Sequence, residues 1–517
     1  MSNDDLPLDR QLRQGILFAR ERVYHYGQPT PLERLILPGD EPGPEVWVKR
    51  EDLSPVNAYK WRGACNRMAL LTAAERAQGV VAASAGNHAQ GVALAARQLS
   101  IRARIHMPRS TPRVKQDAVR HHGGEWVTIV LSGDSYDEAY TSARREADDT
   151  GTIYIHAYDD LQVMAGQGTM ADEVIMSGHG PFDTTFLQIG GGGLAAAASA
   201  WWKTFWPDMA IVGVEAEGQA SMQAALAAGE PVTLDQVDIF CDGTAVRRAG
   251  DLPFAICRDT LDRVETVSNA EVSTAIRVLW ESLRCIAEPS GALGLAAVLK
   301  HRAALDGQRV LIVVTGANVD FRQIGLIAQT QGNASRISRT LRIRLTETRG
   351  SMLGLLGRCL PGLNVVDFQY GKNDAVDAWP IFTVSADDPA ALDTLPARLA
   401  EHGYEWEPLE SADDVQFRAI PLRGDLLHQP AFFRLDFYER PGALLDFLQS
   451  RVRDQASFCY FNYRQSGERI GRALIGFDFA HTAERDAFVA GMPRHGEGFR
   501  SCRPVEPAVL TRLTGRT

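Results

Sequence analysis

Between residues 45 and 330, short and continuously apolar runs alternate with longer stretches of helical periodicity. Residues 46–48, 80–83, 104–107, 127–131, 186–189, 211–214 and 310–314 read as strands; 62–71, 89–97, 136–148 and 194–205 read as helices. A strand that is apolar at every position has both faces to bury. Such strands, separated by helices, specify parallel sheet covered on each side, and so an α/β domain. Many glycines follow directly on these strands, at the edge where open α/β sheets bind ligands.

The 517 residues suggest two to four domains, at roughly 100–200 residues each. An apolar content of 45% is enough for substantial cores. A net charge of −10 offers little attraction to nucleic acid or to an anionic membrane surface, and neither partner is expected. No run of about 18 apolar residues occurs, so no membrane span is expected. The seven cysteines, Cys65, Cys241, Cys257, Cys285, Cys359, Cys459 and Cys502, form no CxxC pair. An odd, widely spaced set fits a reducing compartment such as the cytoplasm. The opening MSNDDLPLDRQLRQG has early acids and no apolar stretch, unlike a signal peptide.

Residues 330–339 (TQGNASRISR) are polar and aperiodic, and read as a linker. Beyond them the chain repeats itself weakly. Residues 341–360 (LRIRLTETRGSMLGLLGRCL) parallel 433–452 (FRLDFYERPGALLDFLQSRV), with Gly350 matching Gly442. Residues 365–370 (VVDFQY) parallel 460–463 (YFNY), and a strand-like run follows each, at 379–384 and 472–479. The period is too long for a solenoid unit and predicts two copies of a small α+β domain.

Several motifs could carry chemistry. Lys60, in KREDLSPVNAYKWRGA, lies between an extended segment and a helix; a lysine in a closed pocket can shed its proton and form an imine with an aldehyde. ASAGNHAQG follows the strand at 80–83. Its small residues and the helix after it suit a carboxylate, and Asn87 can donate and accept. Gly190, Gly191, Gly192, Gly193 and Leu194 sit between a strand and an alanine-rich helix. Four glycines there make a nest of N–H donors suited to a monophosphate; the sequence is neither GxGxxG nor a P-loop. Thr315, in VVTGANV, places a neutral hydroxyl at a strand end. AGQGT (165–169) and AEPSGA (287–292) each put small residues and one polar group where a helix is expected to start.

Lys60, SAGNH, GGGGL, AEPSGA and TGAN, in that order, resemble the fold-type II pyridoxal-phosphate enzymes, most closely the biosynthetic threonine ammonia-lyases (threonine dehydratases). The resemblance covers nearly the whole chain. It implies two open α/β subdomains with pyridoxal 5'-phosphate between them, over residues 1–330. It also implies two α+β ACT-like regulatory domains, at 340–422 and 431–510. By the resemblance, Lys60 is the Schiff-base lysine and the base for the substrate Cα proton. Asn87 bonds the cofactor's ring oxygen, and Gly190 to Leu194 hold its phosphate. Ser84, Ala85, Gly86, Asn87 and His88 form the substrate carboxylate loop. Thr315 faces the pyridine nitrogen, where a hydroxyl makes a weaker electron sink than a carboxylate and suits β-elimination. The implied reaction is L-threonine to 2-oxobutanoate and ammonia, feedback-regulated by isoleucine and relieved by valine, in a homotetramer.

Four departures matter. Ala85 stands where racemases of this fold carry a serine. Ser221 stands where their divalent-metal site has a carboxylate, although Glu215 is retained, so no metal is expected. Ala58 and Tyr59 replace a usual Ser-Phe, which leaves room for a β-eliminase acting on serine or another β-substituted amino acid. Gly371 replaces an arginine of the first repeat that Arg464 keeps in the second. A reading of another class is an amino-acid sensor with an inactive catalytic domain; Lys60, Asn87 and the glycine loop argue against it.

Overall fold

The computed structural model describes residues 6–39, 41–320, 323–325, 327, 337–346, 351–369, 377–386, 389–409, 427–438, 447, 451–452, 456–463, 470–496, 499–506 and 509–511. The chain divides into two compact units, Met1–Ile324 and Gly325–Thr517.

In the first unit the order is α1 (Leu8–Tyr26), β1 (Leu32–Leu35), β2 (Glu45–Arg50), α2 (Trp61–Ala69), α3 (Ala73–Gln78), β3 (Val80–Ala83), α4 (Asn87–Leu99), β4 (Ala103–Met107), α5 (Arg113–Gly123), β5 (Val127–Leu131), α6 (Tyr136–Thr150), β6 (Ile153–Tyr154), α7 (Leu161–Met176), β7 (Thr184–Gln188), α8 (Gly193–Phe205), β8 (Ala210–Ala216), α9 (Ser221–Ala228), α10 (Asp251–Thr260), β9 (Arg263–Val267), α11 (Asn269–Leu283), α12 (Pro289–Lys300) and β10 (Arg309–Val314). The strands form two sheets. One runs β1-β2-β10-β7-β8-β9, parallel except for the β1–β2 pair. The other runs β5-β4-β3-β6 and is parallel throughout. Two open parallel sheets with helices between the strands are the α/β architecture expected.

Each sheet has its own core. Leu187, Trp202, Ile211 and Leu311 belong to one; Val80, Ile105, Trp61 and Val92 to the other. Trp61 and Trp202 are fully buried, and apolar burial on that scale is the main favourable term in folding. Helix starts are locally encoded: capping boxes close α6 at Ser135 and Glu138, and α11 at Ser268 and Glu271.

Two expectations are corrected in this unit. Residues 127–131 read as a strand buried on both faces, but β5 is an edge strand and only partly buried. The AGQGT segment read as a helix start, but it lies in the middle of α7. Its small residues serve close packing instead. A Cβ on Gly166 would stand 2.4 Å from the Arg62 carbonyl oxygen, so α2 and α7 can approach only because glycine is there.

The second unit contains two antiparallel sheets. The first joins β11 (Ile337–Ile343), β13 (Asn364–Gln369), β15 (Ile381–Ala386) and β16 (Trp406–Pro408); β12 (Leu345–Thr346) and β14 (Asp377–Ala378) pair beside it. The second joins β17 (Ala431–Tyr438), β18 (Ser457–Tyr463), β19 (Ile470–Asp478) and β20 (Phe499–Pro504). Their orders are β13-β15-β11-β16 and β18-β19-β17-β20. Counted along the chain, both run second, third, first, fourth. Each sheet has its own core, with Leu341, Phe382 and Leu399 in one and Phe433, Ile475 and Phe488 in the other. Phe461 and Tyr463 pack, partly buried, against the second.

Ile337, Ser338 and Arg339 belong to β11 and not to a linker, because they pair with Ala386, Ser385 and Val384. The rest of that expected linker lies outside the described residues. So do Gly350, Tyr370, Gly371, Gly442 and Arg464, and the side chain of Phe368. Among the described residues, no helix is long and apolar enough to cross a membrane.

Candidate active site

Lys60 immediately precedes α2, at the end of a segment tied to the end of β10. Tyr59 N donates to Thr315 O at 3.1 Å, and Ala58 pairs with Gly316. That lacing brings Lys60 beside the C-terminal edge of the larger sheet. Its Nζ donates to Ala157 O at 3.3 Å and makes no ion pair among the described residues. Burial strips water from the ammonium and pushes the pKa down from 10.5 to about 8, opposed by the charge of Glu288.

A cavity at this edge is lined by Lys60, Asn87, Gly190, Gly191, Gly192, Gly193, Leu194 and Thr315. Segments distant in sequence thus meet as the motifs implied. Ser84, Ala85, Gly86 and His88 are not among the lining residues; the first three form the turn from β3 that delivers Asn87 at the start of α4, and His88 follows it in the helix. The His88 ring is buried, with Nε2 2.9 Å from Ile155 O. A carbonyl only accepts, so Nε2 carries the proton. Burial, helped by nearby Lys60, pushes the His88 pKa down to about 3, so the ring is neutral near pH 7.

The glycine loop is built to be filled. Among the described residues, the N–H groups of Gly190, Gly191, Gly192, Gly193 and Leu194 donate to no protein acceptor. Unpaired buried donors at a helix N-terminus make an anion site. Gly192 has φ +93°, a left-handed backbone that glycine adopts without strain. A Cβ on Gly191 would fall 2.2 Å from the Tyr158 ring, so only glycine lets that ring close one side of the loop.

Thr315 is oriented by Gln188, the one polar side chain of buried β7 that reaches this edge. Gln188 Nε2 donates to Val313 O at 2.8 Å and to Thr315 Oγ1 at 3.1 Å. The carbonyl fixes which end of the amide is nitrogen, so Thr315 Oγ1 accepts there and keeps its own proton to donate elsewhere. Asn87 Nδ2 donates to Glu288 Oε1 at 2.6 Å. Glu288 lines the cavity at the start of α12, and burial raises its pKa from 4.5 to about 7.

Sequence reasoning did not single out Glu288, Gln188 or Tyr158. Glu288 was visible as the polar residue of AEPSGA. Gln188 was visible as the glutamine in an otherwise apolar strand end. Nothing local marks Tyr158. At the position related to the racemase metal site, Glu215 accepts from Met222 N at 2.8 Å and Gln223 N at 2.9 Å, so its carboxyl caps α9. Among the described residues, no three metal-ligating side chains gather in one place.

The donor set fits pyridoxal phosphate: unpaired N–H groups for the phosphate, a partly buried lysine of lowered pKa for the aldehyde, and a neutral hydroxyl for the ring. The comparisons agree. Residues 23–316 match the family model for pyridoxal-phosphate dependent enzymes, and 424–508 match the C-terminal regulatory domain of threonine dehydratase. The class is therefore a pyridoxal-phosphate enzyme with an appended regulatory region. The biosynthetic L-threonine dehydratase of Burkholderia multivorans is 36% identical over 458 residues, covering 86% of this chain and 89% of the relative. That of Escherichia coli K12 is 36% identical, with 89% of each covered. Among solved structures, processed threonine deaminase isoform 2 of Solanum lycopersicum is 37% identical with a TM-score of 0.58, covering 62% of this chain and 94% of that one. Maize serine racemase is 30% identical with a TM-score of 0.55, covering 62% and 97%. The chain belongs to the biosynthetic threonine dehydratase family.

Proposed function

We propose that this protein deaminates L-threonine by β-elimination, giving 2-oxobutanoate and ammonia, as the first committed step toward isoleucine. The observation that carries this reading is the convergence of Lys60, Asn87, the unpaired glycine-loop donors and Thr315 on one cavity. Pyridoxal phosphate, when bound, supplies an electron sink for the carbanion left at the substrate Cα. Lys60 Nζ takes the Cα proton, and its lowered pKa suits a base near neutral pH. The N–H groups of Gly190 to Leu194 would hold the cofactor's phosphate. The turn at Ser84, Ala85, Gly86, Asn87 and His88 receives the substrate carboxylate, with the neutral His88 ring as its buried support. Thr315 would offer its hydroxyl hydrogen bond to the ring nitrogen without protonating it, a weaker electron sink that suits prompt loss of the β-hydroxyl. Loss of that hydroxyl leaves an enamine, which tautomerises and hydrolyses to the 2-oxo acid and ammonia. Ala85 has no hydroxyl with which to return a proton to the opposite face, which counts against racemisation.

The two sheets of the second unit, with one strand order, are read as ACT-like domains over 340–422 and 431–510 that sense isoleucine and valine, in a homotetramer. A cytoplasmic setting accords with the seven free cysteines. The test is 2-oxo acid production from threonine, serine and other β-substituted amino acids, with and without isoleucine. Threonine should be preferred and isoleucine should inhibit. Turnover of another substrate but not of threonine overturns the substrate assignment; full activity at saturating isoleucine overturns the regulation.

A further inference from the structure

The TGAN and AEPSGA motifs each contribute a side chain that the reaction above does not use. Asn318 follows β10, and Glu288 precedes α12. Both bond Asn87. Asn318 Nδ2 donates to Val56 O at 2.8 Å and to Asn87 Oδ1 at 2.8 Å. Val56 O is a backbone carbonyl and accepts only, so the nitrogen end of Asn318 must be the one facing it. Both Nδ2 protons of Asn318 are then committed, and the Asn87 atom that meets it must be the oxygen. Asn87 Nδ2 is left pointing at Glu288 Oε1, 2.6 Å away. Turning the Asn87 amide over would set nitrogen against nitrogen at Asn318 and, whenever Glu288 is ionised, oxygen against its carboxylate. The second proton on Asn87 Nδ2 has no acceptor among the described residues, and Asn87 lines the cavity.

We propose that Asn318 and Glu288 are positioning residues that lock the polarity of Asn87, so that it presents an N–H donor and never a carbonyl to the cofactor's ring oxygen. This rests on the assignment of the cavity to pyridoxal phosphate. A donor at that point stabilises the ring oxygen as an anion; an acceptor would repel it. The backbone carbonyl of Val56 is the fixed reference, and Asn318 carries its polarity to Asn87. An asparagine free to turn would spend part of its time with the wrong atom forward.

The test is the dissociation constant of pyridoxal phosphate, together with the pH at which the holoenzyme's visible band changes, in Asn318→Ala, Glu288→Ala, Asn87→Ala and the pairwise combinations with Asn87→Ala. The Asn318 and Glu288 single variants should each weaken cofactor binding about tenfold, the scale of one charge-assisted hydrogen bond. They should also move the band's transition pH. In the Asn87→Ala background both effects should vanish, because there is no amide left to orient. A loss of full size in that background means the residues act by another route and overturns the proposal. So does wild-type affinity and wild-type band behaviour in Asn318→Ala. If Glu288→Ala does not fold, Asn318→Ala and Asn318→Asp decide alone. The aspartate sets three acceptors together and should bind cofactor more weakly than the alanine; equal or tighter binding by Asn318→Asp contradicts the proposal. If the wild-type chain shows no visible band with cofactor, the assignment of the cavity fails instead, and the two failures are told apart.

Discussion

Lys60 and Arg62 are two residues apart, yet they belong to opposite kinds of buried polar region. Arg62 donates to Glu51 at 2.8 and 2.9 Å, to Glu173 at 2.6 Å and to Thr169 at 3.1 Å. Glu173 also meets Lys49, Thr30 and Tyr24. This network closes on itself, as buried charges must if they are to be tolerated at all. Around Lys60 the reverse holds. Among the described residues the lysine has a single hydrogen bond, to a carbonyl, the glycine loop has unpaired donors, and Asn87 and Thr315 each keep a proton unspent. A saturated, buried cluster holds a fold together; the unsaturated, partly exposed one around Lys60 is built to take a ligand.

Substitutions at the two positions should separate these roles. The largest effect is expected from Lys60→Ala, with threonine deamination falling on the order of a thousandfold in kcat. Thermal stability of the cofactor-free chain should hold or rise, because a desolvated ammonium with no ion pair among the described residues is removed. Arg62→Leu should do the opposite. Stranding Glu51 and Glu173 should cost about 3–5 kcal/mol of unfolding free energy in a denaturant titration. Loss of activity without loss of stability in Arg62→Leu would collapse the distinction. Gly191→Ala comes next. Its methyl meets the Tyr158 ring and disturbs the phosphate nest, so cofactor affinity should fall on the order of a hundredfold, equivalent to about two charge-assisted hydrogen bonds.

The smallest effect is one of pH. Lys60 must be neutral to attack an aldehyde, and its folded pKa of about 8 lies below 10.5. The rate at which the cofactor-free enzyme captures pyridoxal phosphate should therefore rise about tenfold per pH unit up to about 8 and then level off. A rise continuing to pH 10 would mean that the lysine is not desolvated. Glu173, held charged by Arg62 and Lys49, should contribute no titration in that range.

Much of the fold could be read from the chain because it is locally encoded. The strands at 80–83 and 310–314 carry continuous apolar runs, the one at 186–189 is apolar but for Gln188, and the turn after each carries the small residues that a ligand edge needs. The division into two sheets is not visible that way, since a strand's own residues do not say which strands it pairs with. AGQGT misled because small residues serve close helix packing as well as helix starts. Lys60, Asn87, Thr315 and the glycine loop were marked by motif. Gln188 reaches Val313 and Thr315, 125 and 127 residues on, Glu288 meets Asn87 across 201 residues, and Tyr158 reaches Arg248 across 90; no local pattern reports such contacts.

The comparison reduces to which buried lysine is free to react. Lys60 makes no ion pair among the described residues, whereas Lys49 is bound to Glu173 and Lys115 to Asp242. Borohydride reduction of the cofactor-loaded enzyme, followed by peptide mapping, measures this directly. The label is predicted on Lys60 alone. A label on Lys49 or Lys115, with Lys60 unmodified, would contradict the account.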